Sequence, residues 1–294
     1  MSRFATRDAA QHFRYLMKLT RRTFLKMGVP AAAAGLGAAG YSTLVEPHRL
    51  SLERVATRIP HLPAALEGFR IAVLSDFHLH PFTKIGLVQE AVRLANSLKP
   101  DLAVLRGDYV DATADAIHEL APELAKLNAR LGIFGVLGNH DYWEGAEIVR
   151  NGLTKAGIHV FENSGLSLPV GGGELFLAGL ETVWGGGNPD ITHALENRRG
   201  DTPTILLMHE PDYADIAAAD GRISLQLSGH SHGGQVRLPF VGALELPSWG
   251  RNYDHGLYRV GEMQLYTNRG IGVVDIPVRF NCPPEVTEIT LHRG

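Results

Sequence analysis

The chain has 294 residues, 45% hydrophobic, 20% charged and 7% aromatic, a composition that excludes disordered, collagen-like and multi-pass membrane classes. Lys and Arg number 28 against 31 Asp and Glu, but seven of the bases and one of the acids fall in the first 26 residues, so the remainder is acidic and lacks the basic excess with which proteins neutralise nucleic-acid phosphates. Cys282 is the single cysteine, which excludes an internal disulfide and a Cys-rich zinc site and leaves metal binding to Asp, Asn, Glu and the 14 His.

The basic start leads into Thr20-Arg21-Arg22-Thr23-Phe24-Leu25-Lys26 and then into residues 27–45, a run of 19 without a charge. This pattern resembles the twin-arginine export signal of bacteria, a receptor-read address for proteins exported already folded. Pro30 and the glycines at 28, 35, 37 and 40 make the run a poor spanning helix. Residues 1–45 are therefore read as a signal for the twin-arginine translocase that, left uncleaved, would tether the protein to the membrane. The location expected is the periplasm or the outer face of the cytoplasmic membrane.

From residue 52 to 294, short apolar β-branched runs alternate with amphipathic stretches, the pattern of an α/β sandwich in one domain. In chain order the pattern predicts strand 70–74, helix 85–98, strand 102–105, helix 114–128, strand 133–137 and helix 144–156. Strands 159–161 and 175–180 follow, then helix 191–197, strand 204–208, helix 213–219, strands 224–227 and 264–267, and a late pair at 278–280 and 286–291. In the first helix Ile85, Val88, Val92 and Ala95 recur at helical spacing and Lys99-Pro100 closes it.

Five clusters follow predicted strands, and each supplies oxygen or imidazole donors: Asp76-Phe77-His78, Gly107-Asp108-Tyr109-Val110-Asp111, Gly138-Asn139-His140-Asp141, His209-Glu210-Pro211 and Gly229-His230-Ser231-His232-Gly233-Gly234-Gln235. The carboxyl ends of strands in an open α/β sheet face one crevice, so residues distant in sequence converge there. The donors Asp76, His78, Asp108, Asn139, His209, His230 and His232 form a set of seven, more than one ion needs. A shared carboxylate bridges two divalent ions ~3.5–4 Å apart in sites that bind a phosphoryl oxygen and generate hydroxide from water near neutral pH. Imidazole with carboxylate suits Mn, Fe or Zn better than Ca.

The order D-x-H, G-D-x-x-D, G-N-H-D, H, G-H-x-H, intact from about Phe69 to the C-terminus, resembles the calcineurin-like metallophosphoesterase superfamily. That resemblance implies a four-layered αββα sandwich with the site at the sheet edges. It implies that Asp76, His78, Asp108 and His232 hold one metal and Asp108, Asn139, His209 and His230 the other, with Asp108 as the bridge. His140 would lie over the metals and protonate the leaving oxygen or stabilise the transition state, oriented by Asp111. The strings Asn139-His140-Asp141-Tyr142-Trp143, Gly229 to Gln235 and Asn268-Arg269-Gly270-Ile271-Gly272 resemble the small bacterial membrane-associated phosphoesterases of the YkuE and YaeI type, often preceded by an export signal or anchor. Some relatives are linked to cleavage of the pyrophosphate of UDP-2,3-diacylglucosamine in lipid A synthesis.

The activity expected is hydrolysis of a phosphate ester, phosphodiester or pyrophosphate in a small-molecule, lipid-linked or cell-envelope substrate. A lipid A pyrophosphatase and a non-catalytic metal-stabilised scaffold are the alternatives. Asn139 is expected to orient the phosphate and Arg269 to contact it. His80 reads as a solvated loop histidine, and Glu210 as a residue that supports the ligands or the turn rather than as a ligand itself. Trp184 and Trp249 read as packing residues, whereas Trp143, trailing His140, is expected at the substrate groove.

Overall fold

The computed structural model describes residues 21–294. The chain divides into two units, 1–41 and 42–294. The basic residues at 3–18 lie outside the described residues. Helix α1, Arg21–Leu44, runs through the uncharged segment with Pro30 inside it. Among the described residues no helix is long and apolar enough to cross a membrane.

The second unit begins with strand β1 (Ser51–Ile59), then β2 (Phe69–Leu74), α2 (Ile85–Ser97), β3 (Leu102–Arg106), α3 (Ile117–Leu124), β4 (Ile133–Val136), α4 (Asn139–Lys155) and β5 (His159–Val160). It continues through β6 (Ser164–Val170), β7 (Gly173–Gly179), α5 (Ile191–Ala194), β8 (Thr204–Leu207), α6 (Ala214–Asp220) and β9 (Leu225–Ser228). A small hairpin β10 (Arg237–Leu238) and β11 (Gly242–Ala243) precedes β12 (Gly256–Val260), β13 (Met263–Thr267) and β14 (Glu285–Arg293).

Two six-stranded sheets result, ordered β1-β14-β2-β3-β4-β5 and β12-β13-β9-β8-β7-β6. Strands β2, β3, β4 and β5 are parallel, as are β7, β8, β9 and β13. Register places Val73 opposite Val104 and Val104 opposite Phe134. Side chains alternate across a strand, so Ile71, Val73, Val104 and Val136 point into a core shared with Leu177, Ile205, Leu207 and Leu227 of the other sheet. Their neighbours Ala72, Leu74, Ala103 and Leu105 pack on α2, α3 and α4 through Val88, Val92, Leu120 and Val149. On the far side, Ala178, Leu206 and Leu265 pack on α5 and α6 through Ile191, Ala214 and Ala217. Helix, sheet, sheet, helix are the four layers expected, held by three apolar interfaces in which each fully buried aliphatic side chain contributes roughly 2 kcal/mol.

The central strands follow the apolar runs, and the differences have local causes. The predicted strand 278–280 is absent apart from a single bridge between Val236 and Phe280. That segment is a loop wrapped around the fully buried Arg279, whose guanidinium donates to the carbonyl oxygens of Gly272, Cys282 and Arg269. Helix α4 begins at Asn139, five residues before the predicted start, because the Asp141 carboxylate accepts from Gly138 N at 2.8 Å and closes the first turn. It breaks at Gly145, whose φ of 140° no other residue tolerates readily.

Candidate metal centre

Parallel strands bring their carboxyl ends to one edge, and the five clusters emerge there. Asp76 and His78 follow β2, Asp108 follows β3, Asn139 opens α4 after β4, His209 follows β8, and His230 and His232 follow β9. All seven side chains are buried. Five of them, Asp76, His78, Asp108, His230 and His232, have positive φ between 41° and 69°. Backbone strain of that kind costs of order 1–3 kcal/mol per residue and persists where the surroundings enforce it. Here it turns consecutive side chains toward one point.

Three groups of ligand atoms each lie within 4.8 Å: Asp76, His78 and His232; His78, Asp108 and His140; and Asp108, His209 and His230. His78 belongs to the first and second groups, and the Asp108 carboxylate to the second and third. Its Oδ1 accepts from His140 N at 2.9 Å, and its Oδ2 lies 3.4 Å from His78 Nε2 on one side and 3.2 Å from His209 Nε2 on the other. Asp76 Oδ1 accepts from His230 N at 2.8 Å and sits 3.6 Å from His232 Nε2. His232 Nε2 in turn is 3.0 Å from His78 Nε2. Two imidazole nitrogens facing each other beside carboxylates is the geometry of a cation site.

The outer ring atoms are held by groups that aim the inner ones. His209 Nδ1 donates to Arg106 O at 2.5 Å, His78 Nδ1 lies 3.0 Å from Asp111 Oδ1, and His230 Nε2 donates to Ser248 O at 2.8 Å. Partners of this kind fix the ring orientation of metal-binding histidines. His209 Nε2 and Asn139 Oδ1 are buried without a hydrogen bond. Orphaned buried atoms aimed into a site lined by carboxylates fit a divalent cation, which takes lone pairs from oxygen and nitrogen together.

The electrostatics are those of a cluster deprived of water. Burial opposes a charge on His78 and on His209, yet Asp108 and Asp111 around the first, and Asp108, Asp76 and Glu210 around the second, push each up to about 10. Burial and the neighbouring His209 charge lower His230 to about 4. Burial also opposes the Asp108 charge, but His209, His78 and His140 hold its carboxyl well below the usual range. The carboxylates therefore draw positive charge strongly, a demand that a divalent ion meets.

Two glycines make the close approach possible. A Cβ on Gly138 would strike the carboxylate and amide of Asp108, and one on Gly107 would strike the backbone of Gly138. The turns after β3 and β4 thus touch backbone to backbone. Asp141 locks them, with Oδ1 accepting from Tyr109 N at 2.9 Å and Oδ2 from Gly138 N.

Above the ligands is a cavity of about 670 Å³ lined by His78, Asp108, Asn139, His140, His230 and His232. The His140 ring is 19% exposed and its Nδ1 lies 3.6 Å from Asp111 Oδ1, so Asp111 stands between His78, its nearer partner, and His140. Trp143 and Trp184 also line it: Trp143 packs on His140, Trp184 on His230, and the two rings meet edge to face at 5.1 Å. Trp184, expected to be a packing residue, is at the cavity wall instead. The buried Glu210 explains this, since its Oε1 binds Thr182 Oγ1 and accepts from Trp184 N at 3.2 Å, which holds the loop over the site.

Arg269 is not brought to this cavity. Its Nε donates to Glu285 at 2.6 Å and its Nη2 to Glu53 at 2.5 Å, so its guanidinium is occupied by carboxylates and the expected phosphate contact is corrected. His80 pairs with Glu119 at 2.7 Å on the surface. Two fully buried arginines flank the site, Arg106, whose carbonyl holds His209, and Arg279, which lies under His232 and carries no motif signal in the sequence.

The model of the family described as calcineurin-like phosphoesterase matches residues 69–234. The metallophosphoesterase YkuE of Bacillus subtilis is 36% identical over 284 residues, covering 94% of this chain and 99% of that protein. The phosphodiesterase YaeI of Escherichia coli is 32% identical over 282 residues, covering 93% and 99%. A transmembrane protein with a metallophosphoesterase domain from Bos taurus is 31% identical over 255 residues, covering 81% of this chain and 56% of that protein. A family match over more than half of the chain, two bacterial relatives aligned almost end to end, and clustered donors for divalent metal lead to one conclusion: the chain belongs to the calcineurin-like phosphoesterase family and is a phosphoester hydrolase.

Proposed function

We propose that the protein is a binuclear metallophosphoesterase, and the observation that carries this reading is the placement of Asp108 between two ligand groups. Asp76, His78, Asp108 and His232 would hold one divalent ion, and Asp108, Asn139, His209 and His230 the other. Manganese, iron or zinc suits these donors. When bound, the metal supplies Lewis acidity toward a phosphoryl oxygen and lowers the pKa of water.

The chain's own residues do the rest. Burial of the donors removes water from around the phosphate and strengthens every charge interaction there. The Asn139 side chain orients the phosphate. His140, whose ring is the most exposed among the histidines that line the cavity, gives a proton to the leaving oxygen, and Asp111 holds that ring in place. Trp143 and Trp184 fix the path along which the leaving group departs. The phosphodiesterase YaeI supports a diester as the substrate class.

We also place the enzyme outside the cytoplasmic membrane, exported by the twin-arginine route and acting on a phosphorylated lipid-linked or cell-envelope substrate. What supports this is the Arg21-Arg22 segment with the uncharged run behind it.

The test is hydrolysis of bis-p-nitrophenyl phosphate by the manganese-loaded protein and by His140→Ala. Turnover should fall by a factor of about 10²–10⁴, the usual worth of a general acid, with metal content unchanged. Parallel loss of metal and activity would remove His140 from its role.

A further inference from the structure

The cavity above the donors is polar at its floor and apolar on one wall. Val236, Leu244, Leu246, Pro247, Val274 and Ile276 form that wall and carry it outward from His230 and His232, with the exposed acids Glu245 and Asp275 spaced along its rim. It ends at the β10–β11 hairpin, where residues 238–244, Leu-Pro-Phe-Val-Gly-Ala-Leu, contain no polar side chain. These side chains are not packed. Phe240 is fully exposed, Val241 is 70% exposed, Leu244 59%, and Ile276 on the neighbouring loop 52%.

The hairpin is nevertheless well built. Leu244 N donates to Val236 O, Arg237 N donates to Phe280 O at 2.9 Å, and the Gln235 side chain both donates to Val274 O and accepts from Val274 N. Arg237 pairs with Asp254 at 2.6 Å and pins the base. At the tip, Val241 N donates to Leu238 O around Pro239 and Phe240. Phe240 occupies the position of that turn that ordinarily takes glycine, with φ of 67°. A phenyl ring held in a strained backbone and presented wholly to solvent has no role in the fold that would offset its cost.

We infer that this hairpin is a membrane-docking element that inserts Phe240 and Val241 into a lipid bilayer and opens the apolar wall of the cavity to a phosphate ester carrying a long apolar chain. The substrate class rests on the phosphoesterase reading above. A convex tip of two or three apolar side chains suits the apolar part of a bilayer interface, where binding strength scales with the apolar area buried. The chain itself points to the same surface. Ser42, the first residue of the second unit, accepts from Arg279 N, and the residue after Arg279, Phe280, accepts from Arg237 N at the hairpin base. The domain therefore begins on the segment that holds the base of the hairpin.

Flotation of the full-length, metal-loaded protein with vesicles of phosphatidylethanolamine and phosphatidylglycerol tests this, comparing wild type with Phe240→Ser/Val241→Ser. The double variant should bind the vesicles roughly tenfold or more weakly, while its hydrolysis of bis-p-nitrophenyl phosphate in solution matches wild type. Equal flotation would overturn the proposal. So would a wild-type dimer that the double variant dissociates without loss of vesicle binding, which would give the face to a second copy. Phe240→Trp supplies an independent readout: brominated lipid should quench more of its emission than of wild type, and equal quenching would also overturn the proposal. Neither vesicle assay needs turnover, so inactivity of wild type on the soluble diester would count against the phosphoesterase reading alone.

Discussion

Asp141 shows how a single buried carboxylate can organise a site without facing it. Its two oxygens accept from the backbone of Tyr109, Val110 and Gly138, joining the turn after β3 to the turn after β4. Burial and the charge of Asp108 push it up to about 7, against the pull of those N–H donors. Asp141→Ala should cost at least about 3 kcal/mol, since it orphans three buried donors at about 1–3 each, and it should lower metal content by loosening Asp108. Asp141→Asn should rescue little, because its amide presents a donor to N–H groups. Thermal denaturation and metal analysis of the two variants check this together. Its neighbour His140 does the opposite, leaving its ring to the cavity, and residue type alone does not separate the two adjacent roles. Burial and the hydrogen bonds of the folded chain do.

Among the elements, strands and turns divide the labour. The apolar runs marked every interior strand, β2, β3, β4, β7, β8, β9, β13 and β14, and of the sheet edges only the short β5, while the edges β1, β6 and β12 went unmarked. An edge strand is buried on fewer sides, so its sequence need not be continuously apolar; β1 alternates in exposure along its length. The hairpin base offers a test at this scale. Burial works against the Asp254 charge, but Arg237, Tyr258 and His255 donate to its carboxylate and bring it down to about 2. A carboxyl depressed in the fold below its unfolded value near 3.8 stabilises at all pH above that value and loses the contribution as pH falls from about 4 through about 2. Asp254→Asn should therefore lower the melting temperature at pH 7 and narrow its gap to wild type as pH approaches 2. A gap that stays constant with pH would show that packing, not charge, holds the hairpin.

The molecule as a whole is built to converge unlike segments on one edge. Asp76 and His232 lie 156 positions apart in the chain yet bring ligand atoms to within 3.6 Å. Two buried carboxylates and four buried histidines in one cluster are costly without a cation. Removing metal with a chelator should lower the melting temperature on the order of 10 °C, as expected when a ligand at about a thousandfold excess over its Kd no longer stabilises the native state. Restoring manganese should reverse the change, and a melting temperature indifferent to chelation would contradict a metal centre.

The sequence by itself determined the α/β alternation, the seven donors and their order, because hydrophobic periodicity and side-chain chemistry are local properties that survive without coordinates. It also placed His140 beside the ligands, since the motif is contiguous. Tertiary structure decided the rest. It moved Arg269 into an ion pair with Glu285 and Glu53, drew residues 278–280 around Arg279, and carried Trp184 to the cavity wall through Glu210. Each of those outcomes depends on a partner far along the chain, and the competition among charges and hydrogen bonds for such partners is settled only when the sheets have packed. The apolar hairpin belongs to the same class: the fold alone leaves Phe240, Val241 and Leu244 facing outward at the mouth of the site.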